Sequence, residues 1–220
     1  MVQPAAVVAP GLPYGALDRE HLTASLLALA RRVGVDNVTM RVLATEAHTS
    51  ASSVYYHVKN KAEMLDLLIE AVVSSITVPT AGSWEEKLVA LYHNAWRVLV
   101  DVPGIAALLQ QRPHTAAAAD MDRQTRKILH QSGLPAEEIQ AAHALLYIQL
   151  LGAVALEHAR ANPSMGPALT APRMEPIFTY GLQVILAGLA YRANGRRKKT
   201  TLKARQRSDV ALTRKEPGDY

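Results

Sequence analysis

The chain has 220 residues, no cysteine and a net charge of +5. Its apolar share of 49% is enough for a real core, and with aromatics at only 5% and alanine and leucine dominant, helix is favoured over sheet. The absence of thiols excludes disulfides, zinc–thiolate sites and cysteine nucleophiles.

The charge is unevenly spread. Residues 196–220 hold nine Lys/Arg against three Asp/Glu, residues 1–62 six against four, and residues 63–195 nine against twelve. A basic tail therefore makes a slightly acidic middle look basic. The opening MVQPAAVVAPGLPYGA has proline interruptions and no basic start, so no signal peptide is expected. The longest apolar run, AAHALLYIQLLGAVALEHAR, contains His143 and Gln149 and reads as too short and too polar for a membrane span. A soluble, cytoplasmic protein is expected.

Residues 1–17 lack periodicity and read as a flexible arm. Asp18 is a good cap for a first helix, with Leu22, Leu26, Leu29, Ala30 and Val33 at helical spacing and Gly34 as its stop. Thr39 can cap a short second helix that carries Arg41, Leu43, Ala44 and Ala47. After the turn HTS, a third short helix runs from about Ser50 to His57. Asn60 with Glu63 opens a fourth, to about Ile76. Beyond VPTAG, the capping box Ser83/Glu86 starts WEEKLVALYHNAWRVLV. Pro103 suits the first turn of a short helix to about Gln111. Helices are expected over 115–132, closed by Gly133, over 135–160, apolar nearly all round and so deeply buried, and over 173–194, ended by Gly195. ANPSMGPALTAP between the last two reads as a loop. There is no strand pattern and no internal repeat.

Three short helices with a tight turn between the second and third make a helix-turn-helix. Its third helix must be slim and exposed enough to enter a major groove, with phosphate partners at its ends. Ala51, Ser52, Tyr55 and Tyr56 share one arc of the helical wheel. A tyrosine hydroxyl can donate to a phosphate while its ring packs on a neighbour. Lys61 starts the next helix, whose N-terminal amides attract anions. Arg41 can reach a guanine edge or a phosphate. The plainer alternative makes Tyr55 and Tyr56 an interhelix core pair and Lys59 and Lys61 a solvated edge. The joint spacing of Arg41, the turn, the tyrosines and Lys61 favours DNA.

The stretch TMRVLATEAHTSASSVYYHVKNKAEMLDLL resembles the TetR family of transcriptional regulators, and VYYHVKNKAEMLDLL is closest in pattern to the tetracycline repressor. The likeness covers the first four helices and continues weakly at GSWEEKL, at QRP and in the spacing from Gly133 to Gly152. It implies an all-α protein: a helix-turn-helix DNA-binding domain over 18–62, an effector-binding and dimerisation domain over 63–195, and a basic, disordered tail over 196–220. It also implies DNA contacts at Thr39, Arg41, Ala51, Ser52, Ser53, Tyr55, Tyr56, His57 and Lys61. One departure is His48, which stands where the family usually has a turn glycine. Histidine tolerates a left-handed backbone better than most residues.

A single recognition helix reads too few base pairs, so a homodimer on a palindromic operator is expected. Gly152, Ala153 and Ala155 on the long helix and Gly181, Ala187 and Gly188 on the last permit close packing and mark the candidate dimer interface. The resemblance also raises magnesium–tetracycline. Alignment on GSW, RP and Gly152 puts Leu91, Leu108 and Leu156 (or Glu157, with a one-residue slip) where the family has its polar, metal-binding and acidic residues. Leucine cannot ligate magnesium. A mostly apolar small-molecule effector is expected instead, lined by Leu91, Ala95, Leu108, Met121, Gln124, Ala144, Tyr147 and Leu151, with Tyr92 and His114 as polar handles.

No cofactor or metal is expected, because the eight histidines show no HxxxH or HExxH spacing. Glu137 and Glu138 suit a helix start. There is no phosphate loop or nucleophile elbow. The leading expectation is a ligand-responsive repressor without enzyme activity. Two alternatives remain: a helical small-molecule-binding protein or enzyme whose front helices are structural, and a general nucleic-acid binder driven by the tail.

Overall fold

The computed structural model describes residues 18–160 and 173–213, with side-chain surroundings through Gly195. The expected arm over 1–17, the loop over 161–172 and residues 214–220 lie outside the described residues. Among the described residues every regular element is helical.

The Asp18 carboxylate accepts from the His21 amide at 2.6 Å and starts α1 (Arg19–Val33). Gly34, at φ 78°, lets the chain leave that helix, and a 3-10 turn over Val35–Asn37 follows. Thr39 caps α2 (Met40–Glu46) by accepting from Val42 N at 3.2 Å. Ser50 caps α3 (Ala51–His57) and Asn60 caps α4 (Lys61–Ser74) in the same way. Leu22, Leu26, Leu29, Val38, Leu43, Ala47, Val54 and Val58 are fully buried between these helices and α4. The head thus has its own apolar core.

The expected capping box is present at the start of α5 (Trp84–Val100): Ser83 and Glu86 satisfy each other's amides. A short α6 (Ile105–Gln111) begins two residues later than expected. Gly104 is its cap, in the left-handed region at φ 87°, so Pro103 lies just before the first turn rather than in it. Then come α7 (Ala116–His130), α8 (Ala136–Arg160) and α9 (Met174–Thr213). Phe178 locks α9 in place, fully buried and stacked on Trp96 of α5 at 4.9 Å. His93 Nδ1 donates to Val89 O at 2.8 Å, and its Nε2 shares a hydrogen bond of 3.1 Å with the Thr179 hydroxyl of α9.

Three expectations are corrected here. The last helix does not stop at Gly195: its backbone stays helical to Thr213, so residues 196–213 of the tail are not disordered. A glycine mid-helix costs only about 1 kcal/mol and does not have to end it. By length and apolarity α8 does qualify as a membrane-crossing helix. It is also not deeply buried all round. Its inner side packs on α5, α7 and α9, but Leu145, Ile148 and Leu156 are exposed at 49%, 67% and 45%. The apolar sequence has two faces, of which the subunit covers one.

Candidate DNA-reading face and effector cavity

The second and third helices meet at a turn that sequence alone makes difficult. His48 adopts φ 50°, the one positive φ outside glycine among the described residues. Thr49 N donates to Ala44 O at 2.9 Å and His48 N to Thr45 O at 3.2 Å. This is a Schellman ending, with histidine in the position where glycine is usual.

The two tyrosines are not a core pair. Tyr55 is 52% exposed and Tyr56 86%. The Tyr56 ring packs edge-on against His57 at 5.2 Å. Arg41, Ala51, Ser52 and Lys61 are exposed, and Ser53 and His57 half-buried. Thr39 is exposed with its hydroxyl oxygen capping α2. Arg41 and Lys61 make no ion pair among the described residues, whereas Arg32 is held by Glu46. Seven of the nine head residues singled out in the sequence are thus exposed on α2, α3 and their flanking caps and the start of α4. The Ser52 and Ser53 hydroxyls share hydrogen bonds with Ser50 at 2.8 and 3.0 Å. Exposed cations and hydroxyls are what phosphates and base edges require.

The second site is a cavity of about 530 Å³ between α4, α5, α6, α7 and α8. Six expected residues line it: Leu91, Tyr92, Ala95, Met121, Tyr147 and Leu151. Four do not. Leu108 is buried elsewhere, because the register of α6 turns Leu109 inward. Ala144 is exposed on the outer stripe of α8, and His143 takes the inner position one residue earlier. Gln124 lies between the lining residues Arg123 and Thr125 without reaching the space. His114 belongs to a shallower pocket beside Asp66, Glu70 and Arg112.

Sequence reasoning missed the cavity's polar end. Asp122 of α7 accepts from Arg126 Nε at 2.8 Å and from His143 Nε2 at 3.0 Å. Arg126 also reaches Gln140 of α8. His143 stacks on Tyr147, with centroids 6.4 Å apart. Burial lowers the His143 pKa, and Arg126 lowers it too, against the opposing pull of Asp122. The contact with Asp122 is thus a hydrogen bond from a neutral imidazole rather than an ion pair. Burial raises the Tyr92 hydroxyl, helped by Asp122, and burial raises Tyr147 too. The available signal was spacing: Asp122/Arg126 and His143/Tyr147 are both i,i+4 pairs, one on each facing helix.

The two sites share α4. Lys61 stands at its first turn in the head, while Val73 near its end lines the cavity with Ile76 just beyond. Arg112 grips Asp66 of α4 with two bonds of 2.6 and 2.7 Å. Glu70 accepts from the Ala117 amide at 2.9 Å. A further tie runs from Val35 N to Pro103 O at 2.8 Å. A change in cavity shape therefore has mechanical routes to the reading face.

Residues 22–68 match the family of bacterial regulatory proteins, tetR family, and residues 78–175 match the tetracyclin repressor-like C-terminal domain. The chain belongs to the TetR family. An HTH-type transcriptional regulator of Saccharopolyspora erythraea is 28% identical over 79% of this chain and 85% of its own length. The chain spans 62% of the length of matched mycobacterial HTH-type regulators. Among solved structures, the TetR family protein ActR of Streptomyces coelicolor in complex with actinorhodin superposes with TM-score 0.67 at 24% identity, over 81% of this chain and 99% of that one. BioQ with its double-stranded DNA operator gives TM-score 0.64 at 20% identity, over 80% and 99%. These likenesses establish the fold.

Within the TetR family, the positions aligned with the tetracycline repressor's polar and metal-binding residues supply little to a cation here. Leu91 is apolar, Leu108 is outside the cavity, and Leu156 is on the outer face of α8. The Glu157 carboxylate is held by Arg160 and by Met174 N at 2.8 Å.

Proposed function

We propose that this TetR-family regulator is a cytoplasmic, homodimeric repressor. Its paired heads hold a palindromic operator, and a small, mostly apolar effector releases it. The observation that carries this reading is the shared helix α4, which reaches from the DNA-reading face to the cavity wall. An effector that fits the cavity of the free conformation better than that of the DNA-bound one shifts the population by that difference in affinity. About 1–3 kcal/mol of coupling weakens DNA binding roughly 5- to 150-fold.

Dimerisation is supported by where apolar surface is left open. Of the ten large apolar side chains exposed among the described residues, seven lie on α8 and α9: Leu145, Ile148, Leu156, Ile177, Tyr180, Val184 and Tyr191. The other three, Val42, Tyr55 and Tyr56, lie on the head. Contiguous apolar faces mark association sites. A side chain at Gly152 or Gly188 would meet nothing within the subunit, so both are open to a partner. Gly181 is different, because an added Cβ would strike the Gln149 side chain of α8. Ala153 is buried within the subunit. The candidate dimer interface therefore loses those two positions and gains the seven large ones.

A catalytic role has less support. Among the described residues no serine lines the cavity with the His143–Asp122 pair, and the Thr125 hydroxyl is committed to Met121 O at 2.9 Å. Selection of bound fragments from random duplex DNA tests the reader. Titration of the selected complex with magnesium and tetracycline, then with lipophilic compounds, tests the effector. Release by lipophilic compounds alone is expected. Micromolar release that requires magnesium overturns the apolar-effector reading, and no selected sequence overturns the regulator reading.

A further inference from the structure

The polar end of the cavity has an unbalanced set of hydrogen-bonding atoms. Asp122 is a carboxylate and can only accept, so the proton on the neutral His143 ring must sit on Nε2, 3.0 Å away. His143 Nδ1 is then a bare lone pair. It has no partner among the described residues, and no buried side-chain nitrogen or oxygen in them is left unsatisfied, so Nδ1 is accessible. His143 lines the cavity.

Tyr92 and Tyr147 line the same end of the cavity. Each hydroxyl can both donate and accept. The Thr125 hydroxyl proton is given to Met121 O at 2.9 Å. Asp122 has its charge matched by Arg126. Arg123, at the rim, is paired with Asp120 at 2.8 Å. The polar end therefore holds one acceptor without a proton, His143 Nδ1, beside two tyrosine hydroxyls, in a site whose charges are matched.

We propose that the effector is an uncharged, largely apolar molecule whose polar end donates a hydrogen bond, a phenol or hydroxyl received by His143 Nδ1. This deepens the effector-cavity reading above and rests on it. A carboxylate end would set an anion against the Nδ1 lone pair and beside Asp122, with no unmatched cation among the described lining residues to receive it. An ether or ketone of the same shape loses the bond to Nδ1. A site built to hydrogen-bond a ligand hydroxyl discriminates strongly against the analogue that lacks it.

The test is a binding series on the full chain. The probes are para-hydroxystilbene, its methyl ether, the para-carboxylate and unsubstituted stilbene, each measured directly by calorimetry and by displacement of a solvatochromic apolar dye. The phenol is expected to bind at least about tenfold more tightly than the other three. In His143→Phe the advantage of the phenol over stilbene should disappear. Equal binding of the four to the wild-type chain, or preference for the carboxylate or ether, overturns the donor reading and leaves the cavity as an effector site. Entry of the dye without any stilbene binding also overturns the donor reading. If neither dye nor stilbenes bind, the effector-cavity reading falls and this one with it. Should His143→Phe fail to fold, the wild-type series alone decides.

Discussion

Asp66 and Arg112 are joined by two parallel hydrogen bonds, 2.6 and 2.7 Å long, that fasten α4 to the corner between α6 and α7. The Arg112 hydrogen bond holds the Asp66 carboxyl below its ordinary pKa. Both side chains are about a third or more exposed, at 31% and 44%. Solvent screening keeps the contribution of such a pair to stability at about 1 kcal/mol or less. Its sign is fixed: the contribution is present above the unfolded carboxylate pKa and lost as pH falls through the depressed one. Arg112→Met should therefore cost little at neutral pH. The effector concentration for half-release should nevertheless rise severalfold, because α4 no longer follows the corner. Melting curves and release titrations on one preparation check this. A change in melting without a change in release would make the pair merely structural.

Arg41→Ala removes an exposed guanidinium that has no ion pair among the described residues. Operator affinity should fall by about 1–3 kcal/mol if the contact is to a base, and binding to random duplex should fall less. Equal losses on the two duplexes assign Arg41 to phosphates. Unchanged binding to both removes it from the face. Fluorescence anisotropy at two salt concentrations separates these outcomes.

The head was the most legible part of the sequence. Each of its helices begins at a residue whose side chain caps it: Asp18, Thr39, Ser50 and Asn60. Short-range signals of this kind do not depend on what packs where. The cavity was legible only on α5, where the stripe of Leu91, Tyr92 and Ala95 has one inward face. On α8, apolar residues occur all round, and nothing in the sequence says which side a subunit covers. That is why helical spacing points to Ala144 where the structure places His143 in the lining. The Asp122–His143 bond joins residues on separate helices, and a single sequence carries no mark of such a pairing. Gly195 misled for the opposite reason: its local stop signal was weaker than the continuing helix.

His48→Gly should stabilise the head. The left-handed backbone costs a non-glycine residue about 1–2 kcal/mol, partly returned because glycine has more freedom to lose on folding. A net gain of about 1 kcal/mol is expected, or some 2–4 °C in a chain of this size. Thermal unfolding followed by circular dichroism measures it. A lower melting temperature would mean that the imidazole makes contacts worth more than the strain.

Ile148→Asp places a charge on the outer stripe of α8, where the side chain is 67% exposed in the subunit. It should hardly affect the isolated fold. In a dimer built on α8 and α9, an unpaired carboxylate at the interface costs several kcal/mol. Light scattering should show a monomer at micromolar concentration, and operator binding should weaken with it, since two half-sites are no longer held together. A variant that stays dimeric moves the interface elsewhere.

The last prediction concerns pH. Burial lowers the His143 pKa from 6.5. The groups facing it are Asp122 and Arg126 of α7, Tyr92 of α5, and Tyr147 on its own helix. Of these, Asp122 favours protonation, Arg126 opposes it, and both tyrosines stay neutral because burial raises them. Above pH 6.5 the imidazole is neutral in folded and unfolded chains alike, and the histidine has no effect on stability. As pH falls below that value, the unfolded chain takes up the proton first. Stability is then lost until the pH reaches the depressed folded pKa. His143→Gln should flatten this part of the stability–pH curve. The same acid step should weaken a hydroxyl-bearing ligand, because a proton on Nδ1 removes the lone pair that receives it. Urea melts of the wild-type and variant chains between neutral and mildly acidic pH measure the difference. If the two curves run parallel, His143 does not change its protonation relative to the unfolded chain, and its neutral form cannot be the basis of the cavity's selectivity.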